Sequence, residues 1–243
     1  MKEIEQLAKI IKESKNIVVF SGAGLSTNSG IPDFRSANGI YNQKEGYSIS
    51  PEEIISHSFF MSNTKEFYKF YFDKMVYLDA KPNIAHKYFS MLEKNHNVTI
   101  VTQNIDNLHQ LALSKNVLEL HGSVMRNYCM KCHKFYSIYD IYKKEIPYCS
   151  CGGIIKPDVV LYEEGLDEDI INKSIMAISQ ADTLIIVGTS LTVYPAAGFI
   201  RYFRGNNLIL LNKTKTQADS IASISIHDDI KKVVEELIEL KAF

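Results

Sequence analysis

No stretch of this chain approaches the ~18 consecutive apolar residues that a membrane-spanning helix needs. Its first residues, MKEIEQLAKIIKES, lack the apolar core of a secretory leader and instead space Ile4, Leu7, Ile10 and Ile11 at helical intervals among charges. The expectation is a cytoplasmic protein without membrane attachment. Neither sign of charge prevails: 27 Lys and Arg stand against 28 Asp and Glu, a net charge of −1, which argues against a nucleic-acid surface or an acidic tail. Cysteine is absent outside residues 129–151, so a scaffold of disulfides is excluded. Internal repeats, low-complexity tracts and long linkers are missing too. So is the GxGxxG fingerprint with an acidic residue about 20 positions on, which counts against a nicotinamide oxidoreductase.

What remains is a chain of 243 residues, 46% hydrophobic, large enough to bury roughly 70–75% of its unfolded surface. Continuous apolar runs at Ile17–Phe20, Val98–Val101, Val117–Leu120, Val159–Leu161, Leu184–Val187 and Leu208–Leu211 read as strands buried on both faces. Between them, Lys65–Met75, Ile84–Glu93, Ile170–Ile178, Ala196–Phe203 and Ile230–Leu240 carry helical periodicity. This alternation predicts an α/β fold, a Rossmann-like parallel sheet with helices on both faces. Two segments break it: an aromatic-rich one after Asn38-Gly39, and one holding every cysteine. They are read as insertions forming a smaller helical and zinc-binding subdomain, about 37–83 and 128–153. The larger subdomain then takes about 1–36, 84–127 and 154–243.

Cys129-Met-Lys-Cys132 and Cys149-Ser-Cys151 are two cysteine pairs sixteen residues apart. Such spacing suits a tetrahedral structural zinc, against redox or unliganded thiols. The second pair is CxC rather than CxxC, which tightens its turn, and His133 stands nearby as a possible substitute ligand. Four protein ligands would leave the metal no open position for catalysis.

The stretch IVVFSGAGLSTNSGIPDFRS carries the strongest signal. A strand runs into Gly22-Ala23-Gly24, where small residues let backbone approach a ligand, and a following helix would aim N–H groups at a pyrophosphate. Further strands end in Thr102-Gln103-Asn104-Ile105-Asp106, in His121-Gly122-Ser123, in Gly188-Thr189-Ser190 and in Asn212-Lys213. Each places small or amide-bearing groups at the carboxyl end of a strand, where ligands of parallel sheets collect.

Taken in order, GAGLSTNSGIPDFRS, TQNIDNLH, HGS, the paired cysteines, KPDVVLYEE, GTSLTVYPAAG and the late Asn212 resemble the sirtuins, NAD-dependent protein-lysine deacylases, from about Ile17 to Ile230. The resemblance implies that Gly22, Ala23, Gly24 and Thr27 lie at the NAD pyrophosphate. Asp33, Phe34 and Arg35 would lie on the cofactor loop, with Gln103, Asn104, Ile105 and Asp106 at the nicotinamide ribose and carboxamide. Gly188, Thr189, Ser190 and Asn212 would surround the adenosine half, and Asp229 and Ile230 would reach the adenine. His121 would be the catalytic base, with Asn104 beside it. An imidazole suits proton removal from a ribose hydroxyl near neutral pH. The implied products are nicotinamide, free lysine and O-acetyl-ADP-ribose. His57, His86, His96, His109 and His227 read as structural.

Val159, Val160, Leu161, Tyr162 and Val193 lie in segments resembling those that sandwich an acyl-lysine peptide by strand addition. Sirtuins that favour malonyl or succinyl groups carry tyrosine followed three positions later by arginine; here Tyr68 is followed by Tyr71. Acetyl or other uncharged acyl groups are therefore expected, on protein or peptide substrates, with the enzyme a monomer. Two other readings stay open: NAD-dependent protein mono-ADP-ribosyl transfer, and a zinc-ribbon binding module using the basic excess of Arg126, Lys131, Lys134, Lys143 and Lys144.

Overall fold

The computed structural model describes residues 2–34, 36, 39–42 and 49–243, so Arg35 and Asn38 lie outside the described residues. Helix α1 (Glu3–Glu13) precedes strand β1 (Asn16–Ser21). Short helices α2 (Pro51–Ile54) and α3 (His57–Ser62) and the longer α4 (Thr64–Lys74) and α5 (Ile84–Leu92) lead to β2 (Asn97–Thr102). Then come α6 (Leu108–Leu111), β3 (Val117–Glu119), β4 (Gly122–Cys129), β5 (Phe135–Ser137), α7 (Ile138–Ile141) and β6 (Ile155–Val159). The chain closes with α8 (Glu168–Gln180), β7 (Thr183–Val187), β8 (Asn207–Leu211), β9 (Ile224–Ile226) and α9 (Ile230–Glu239).

The main sheet has the order β3-β2-β1-β7-β8-β9, parallel throughout. Its central strands are buried nearly end to end, as their uninterrupted apolar runs require. One face is covered by α1, α5 and α9, whose Leu7, Ile11, Tyr88, Leu92, Val234 and Leu237 join a single core with Val19, Ile100 and Ile209. On α9 the buried Ile230, Val233, Val234 and Leu237 fall at helical spacing, and the Asp229 side chain caps its start by accepting the Lys231 N–H. The other face packs Ile178 of α8 and Phe199 and Ile200 against Phe20, Leu184 and Ile186.

A second sheet, β5-β4-β6, is antiparallel. Its core joins Phe60, Phe67, Tyr68 and Tyr71 of the helical segment to Cys129, Ile138, Ile141, Cys149 and Ile155. Both segments that broke the α/β alternation therefore share one apolar cluster.

Three expectations need correction. The run at Val159–Leu161 is not a strand of the parallel sheet: β6 ends at Val159, pairs antiparallel with β4, and alternates buried Ile155, Pro157 and Val159 with half-buried Lys156 and Asp158. That alternation, upstream of the apolar run, marks a strand with one covered face. Residues Ala196–Tyr202 form a 3₁₀ helix rather than an α-helix. After β1 no α-helix begins; two 3₁₀ turns, Ala23–Leu25 and Thr27–Ser29, stop at Gly30, whose φ is 84°. A backbone held there, in the left-handed region, cannot continue a right-handed helix.

Candidate active site

Strands β1 and β7 lie side by side where the sheet order changes direction, so their carboxyl ends open a crevice. The loops leaving them interlock. The Gly24 N–H donates to the Gly188 carbonyl at 2.8 Å, and the Gly22 N–H to the Val187 carbonyl at 3.1 Å. A Cβ on Gly22 would stand 2.7 Å from Thr189 Cβ, and one on Gly188, whose φ is 61°, only 2.3 Å from the Leu25 nitrogen. These glycines thus serve first to fit loop against loop. Beside them is a cavity of about 540 Å³, bordered by Gly24, Thr27, Asp33, Gly188, Lys213, Thr214 and Ile230.

A second cavity, about 280 Å³, opens at the ends of β2 and β3 and shares Ile31 and Pro32 with the first. Asn104 sits at its floor, buried, with its amide Nδ2 donating to the Gly22 carbonyl at 3.1 Å and to Ser26 Oγ at 3.2 Å. Ser26 in turn donates to Asp106 Oδ2 at 2.6 Å, and the Leu108 N–H reaches Asp106 Oδ1 at 2.9 Å. Burial raises the Asp106 carboxyl above its ordinary range, and these two donors partly oppose that shift. Behind Asn104, the Thr102 hydroxyl accepts the Asn104 N–H, while Ser21 Oγ donates to Thr102 and contacts His109 Nε2 at 2.9 Å. His109 and its ring neighbour His86 are fully buried, which lowers them to about 3 and about 4 and keeps both neutral.

His121 follows β3 and stands on the same cavity. Its Nδ1–H donates to the Gln103 carbonyl at 2.9 Å, which fixes the tautomer and leaves Nε2 carrying the lone pair. Burial lowers its pKa, against the raising effect of that carbonyl, so the imidazole is neutral and basic at neutral pH. Gly122 holds the turn at φ 74°, where a Cβ would come 1.9 Å from the Asp158 carbonyl oxygen. The Val160 N–H donates to the His121 carbonyl at 3.1 Å. The histidine and the segment 159–162 are thereby registered through one contact.

That segment, Val159, Val160, Leu161 and Tyr162, forms a wall of the cavity; Val193 faces the same cavity, as do Ala23, Phe34, Gln103 and Ile105. Tyr162 is tied to the helical segment by backbone bonds to Ile55 and His57 and by its hydroxyl to Tyr41 at 2.9 Å. Glu163 has φ 76°, in the left-handed region that favours glycine. Its carboxylate accepts the Ser58 N–H at 2.8 Å and Ser58 Oγ–H at 2.9 Å.

Other expected residues stand back from the cavities. Gly22 offers its carbonyl to Asn104, Thr189 accepts from Gln103 Nε2 at 3.1 Å, and Ser190 pairs with Thr192. Asn212 Nδ2 donates to the Thr214 carbonyl, and Asp229 caps α9 while holding Asn28 and Lys213. Tyr68 and Tyr71 line neither cavity: both are fully buried, and the Tyr68 hydroxyl donates to the Ile155 carbonyl. The same helix end brings Lys74, Met75 and Tyr77 to the cleft instead. Sequence reading missed these three, along with the second layer of Ser21, Ser26, Thr102 and His109. All four lie inside motifs quoted from the sequence, Ser21 and Ser26 in the glycine-rich stretch and Thr102 and His109 in TQNIDNLH, but nothing local showed that they contact one another.

The four cysteine sulfurs lie within 4.8 Å of one another, with neighbouring pairs at 3.4 to 3.6 Å. Four thiolates around zinc at about 2.3 Å would stand about 3.8 Å apart, so the set fits that ion. The Cys151 backbone N–H and the Tyr136 hydroxyl pull the Cys149 thiol down to about 5, as a metal ligand needs. The CxC pair places both sulfurs within reach of such an ion, and His133 stays exposed outside the cluster.

The Sir2 family model matches residues 22–195. This chain belongs to the Sir2 family. It is 57% identical over 240 residues to an NAD-dependent protein deacetylase of Clostridium acetobutylicum, covering 97% of this chain and 98% of that protein. A protein of the same name from Staphylococcus aureus is 43% identical over 238 residues, covering 97% and 98%. Among solved Sir2 structures, one with a deacetylated p53 peptide and 3′-O-acetyl ADP ribose superposes with a TM-score of 0.89 at 35% identity, covering 99% of both chains. Another, with a p53 peptide and NAD, gives 0.84 at 36%, covering 98% of both. In this chain Ala23 of the glycine turn, Asn104 and His121 border one cavity.

Proposed function

We propose that this NAD-dependent protein deacetylase seats the adenosine half of NAD in the larger cavity and the nicotinamide half beside Asn104, with the acyl-lysine entering along 159–162. The carrying observation is that a neutral histidine with a defined basic nitrogen shares one cleft with Asn104, Asp106 and the apolar wall. When bound, NAD supplies an anomeric carbon carrying nicotinamide as leaving group. The chain's own part is mostly positioning: Asn104 and Asp106 orient the ribose and carboxamide, and the apolar wall excludes water from the acyl group. His121 Nε2 takes a proton from a ribose hydroxyl. Products are nicotinamide, free lysine and O-acetyl-ADP-ribose.

The cleft sets the carboxylates of Asp106, Glu163 and Glu164 against the ammonium of Lys74 among its described lining. This charge balance supports uncharged acyl groups over succinyl or malonyl. The zinc is structural, buttressing a small subdomain of about 37–83 and 128–153 that forms one side of the cleft. The proposal is completed by a monomer acting in the cytoplasm on acetyl-lysine proteins; among the described residues no helix is long and apolar enough to cross a membrane.

The test follows nicotinamide release and lysine liberation from an acetyl-lysine peptide, omitting each component in turn, with a matched succinyl peptide alongside. Turnover is expected only with NAD and peptide together, faster on acetyl, and reduced about 10²- to 10⁴-fold in His121→Ala. NAD-independent release, or an unaffected variant, would contradict it.

A further inference from the structure

His227 stands where β9 leaves the sheet, outside both cavities. Its Nδ1 lies 2.9 Å from the Asn212 carbonyl oxygen and its Nε2 2.6 Å from Asp219 Oδ1. Both partners can only accept: a carbonyl and a carboxylate. A neutral imidazole has one N–H and satisfies one of them; the imidazolium satisfies both. Asp219 Oδ2 meanwhile accepts the Thr216 N–H at 2.6 Å. One ring therefore ties down both ends of the segment 212–216. Between the ties lie Lys213 and Thr214, which border the larger cavity, and Asn212 Nδ2 braces that stretch on the Thr214 carbonyl at 2.7 Å.

We propose that His227 is a positioning residue for the adenosine half of the dinucleotide, clamping 212–216 only while doubly protonated, so that affinity weakens as pH rises through its titration. This rests on the reading that NAD's adenosine occupies the larger cavity. The Asn212 carbonyl foremost, and then Asp219, raise the His227 pKa above its ordinary value, while Lys215 opposes. A raised pKa keeps the clamp at full strength below the ordinary imidazole value and removes it as pH climbs through the raised one. The remaining nearby charges are engaged elsewhere: Asp228 with Lys232, and Asp229 with Asn28 and Lys213. His121 does not produce the same dependence, because burial shifts its pKa the opposite way, below the ordinary imidazole value, while that of His227 moves above it.

Isothermal titration calorimetry of the full chain with ADP-ribose near pH 6 and near pH 9 tests this, with the His227 ring proton followed by NMR. Losing one of two hydrogen bonds predicts a Kd about 2- to 10-fold weaker at the higher pH. In His227→Gln, whose single amide nitrogen cannot span both acceptors, the dependence flattens at the weak value. In Asp219→Asn, the ring loses its counter-charge and the transition moves to lower pH, a shift that a purely structural role would not produce. A wild-type Kd equal at both pH values, or His227→Gln keeping the slope, overturns the clamp. No ADP-ribose binding at any pH would overturn the underlying dinucleotide reading instead.

Discussion

Gly122→Ala asks the most of the site with the least chemistry. The residue sits at φ 74° between His121 and β6, and an added methyl would land 1.9 Å from the Asp158 carbonyl oxygen. Holding alanine in the left-handed region costs about 1–2 kcal/mol, and forcing a methyl into packed backbone about 1–3 kcal/mol more. Together, about 2–5 kcal/mol would be lost, lowering the melting temperature by roughly 5–20 °C in a chain of this size. Relieving the clash requires β4 and β6 to separate by roughly 1 Å, which displaces the imidazole from the wall that Val160 registers; a misplacement of that order costs about 100-fold in rate. Calorimetric melting with deacetylation kinetics on an acetyl-lysine peptide, and ADP-ribose affinity as control, gives the check. Rate should collapse while ADP-ribose binding, governed by the other cavity, survives. A variant that melts and turns over like wild type would refute the account of why glycine follows the histidine.

Four further outcomes follow from the same geometry. Because burial already raises Asp106, stability falls as pH climbs from the ordinary carboxylate value through the raised one; Ser26→Ala removes a donor, lifts the upper end of that window, and widens the fall in melting temperature from about pH 4 to pH 8. Parallel pH profiles for the two proteins would count against it. Glu163→Ala keeps the strained backbone and loses both bonds to Ser58, whereas Glu163→Gly sheds the strain, so Ala should melt lower than Gly by a margin worth about 1–2 kcal/mol; the reverse order would contradict this. Metal analysis should find one zinc per chain, and chelation or Cys149→Ser should loosen the second core first, read as earlier proteolysis of the helical segment than of the parallel sheet. His109→Leu removes one of the two buried partners of Ser21 and should raise the KM for NAD, with His109→Gln restoring most of it; equal values in both variants would remove His109 from the network behind Asn104.

The parallel sheet was readable because burial on both faces leaves no polar alternation: Ile17–Phe20 and Leu184–Val187 could not be amphipathic strands. The residues at strand ends were readable because turn, amide and imidazole types recur where ligands collect. What escaped notice is non-local. Strand β9 is three residues long, and β6 hid its alternation upstream of a louder apolar run. The role of Gly188 depends on Leu25, more than 160 residues away in sequence. Tyr71 stands where succinyl-preferring relatives carry arginine, and its aromatic pairing with Phe67, Tyr68 and Phe72 draws it into the core, which sequence spacing alone does not show. Ser21, Thr102 and His109 lie within quoted motifs, but their contact with one another is non-local, since three different elements assemble it.

The most direct measurement is a crystal structure of the chain with NAD and an acetyl-lysine peptide in His121→Ala, refined beside the wild-type complex with ADP-ribose. It should place the ribose against Asn104, the acyl group on the Val159–Tyr162 wall, and His121 Nε2 of the wild type within about 3 Å of a ribose hydroxyl. A dinucleotide bound away from the glycine turn, or a peptide outside that wall, would contradict the account.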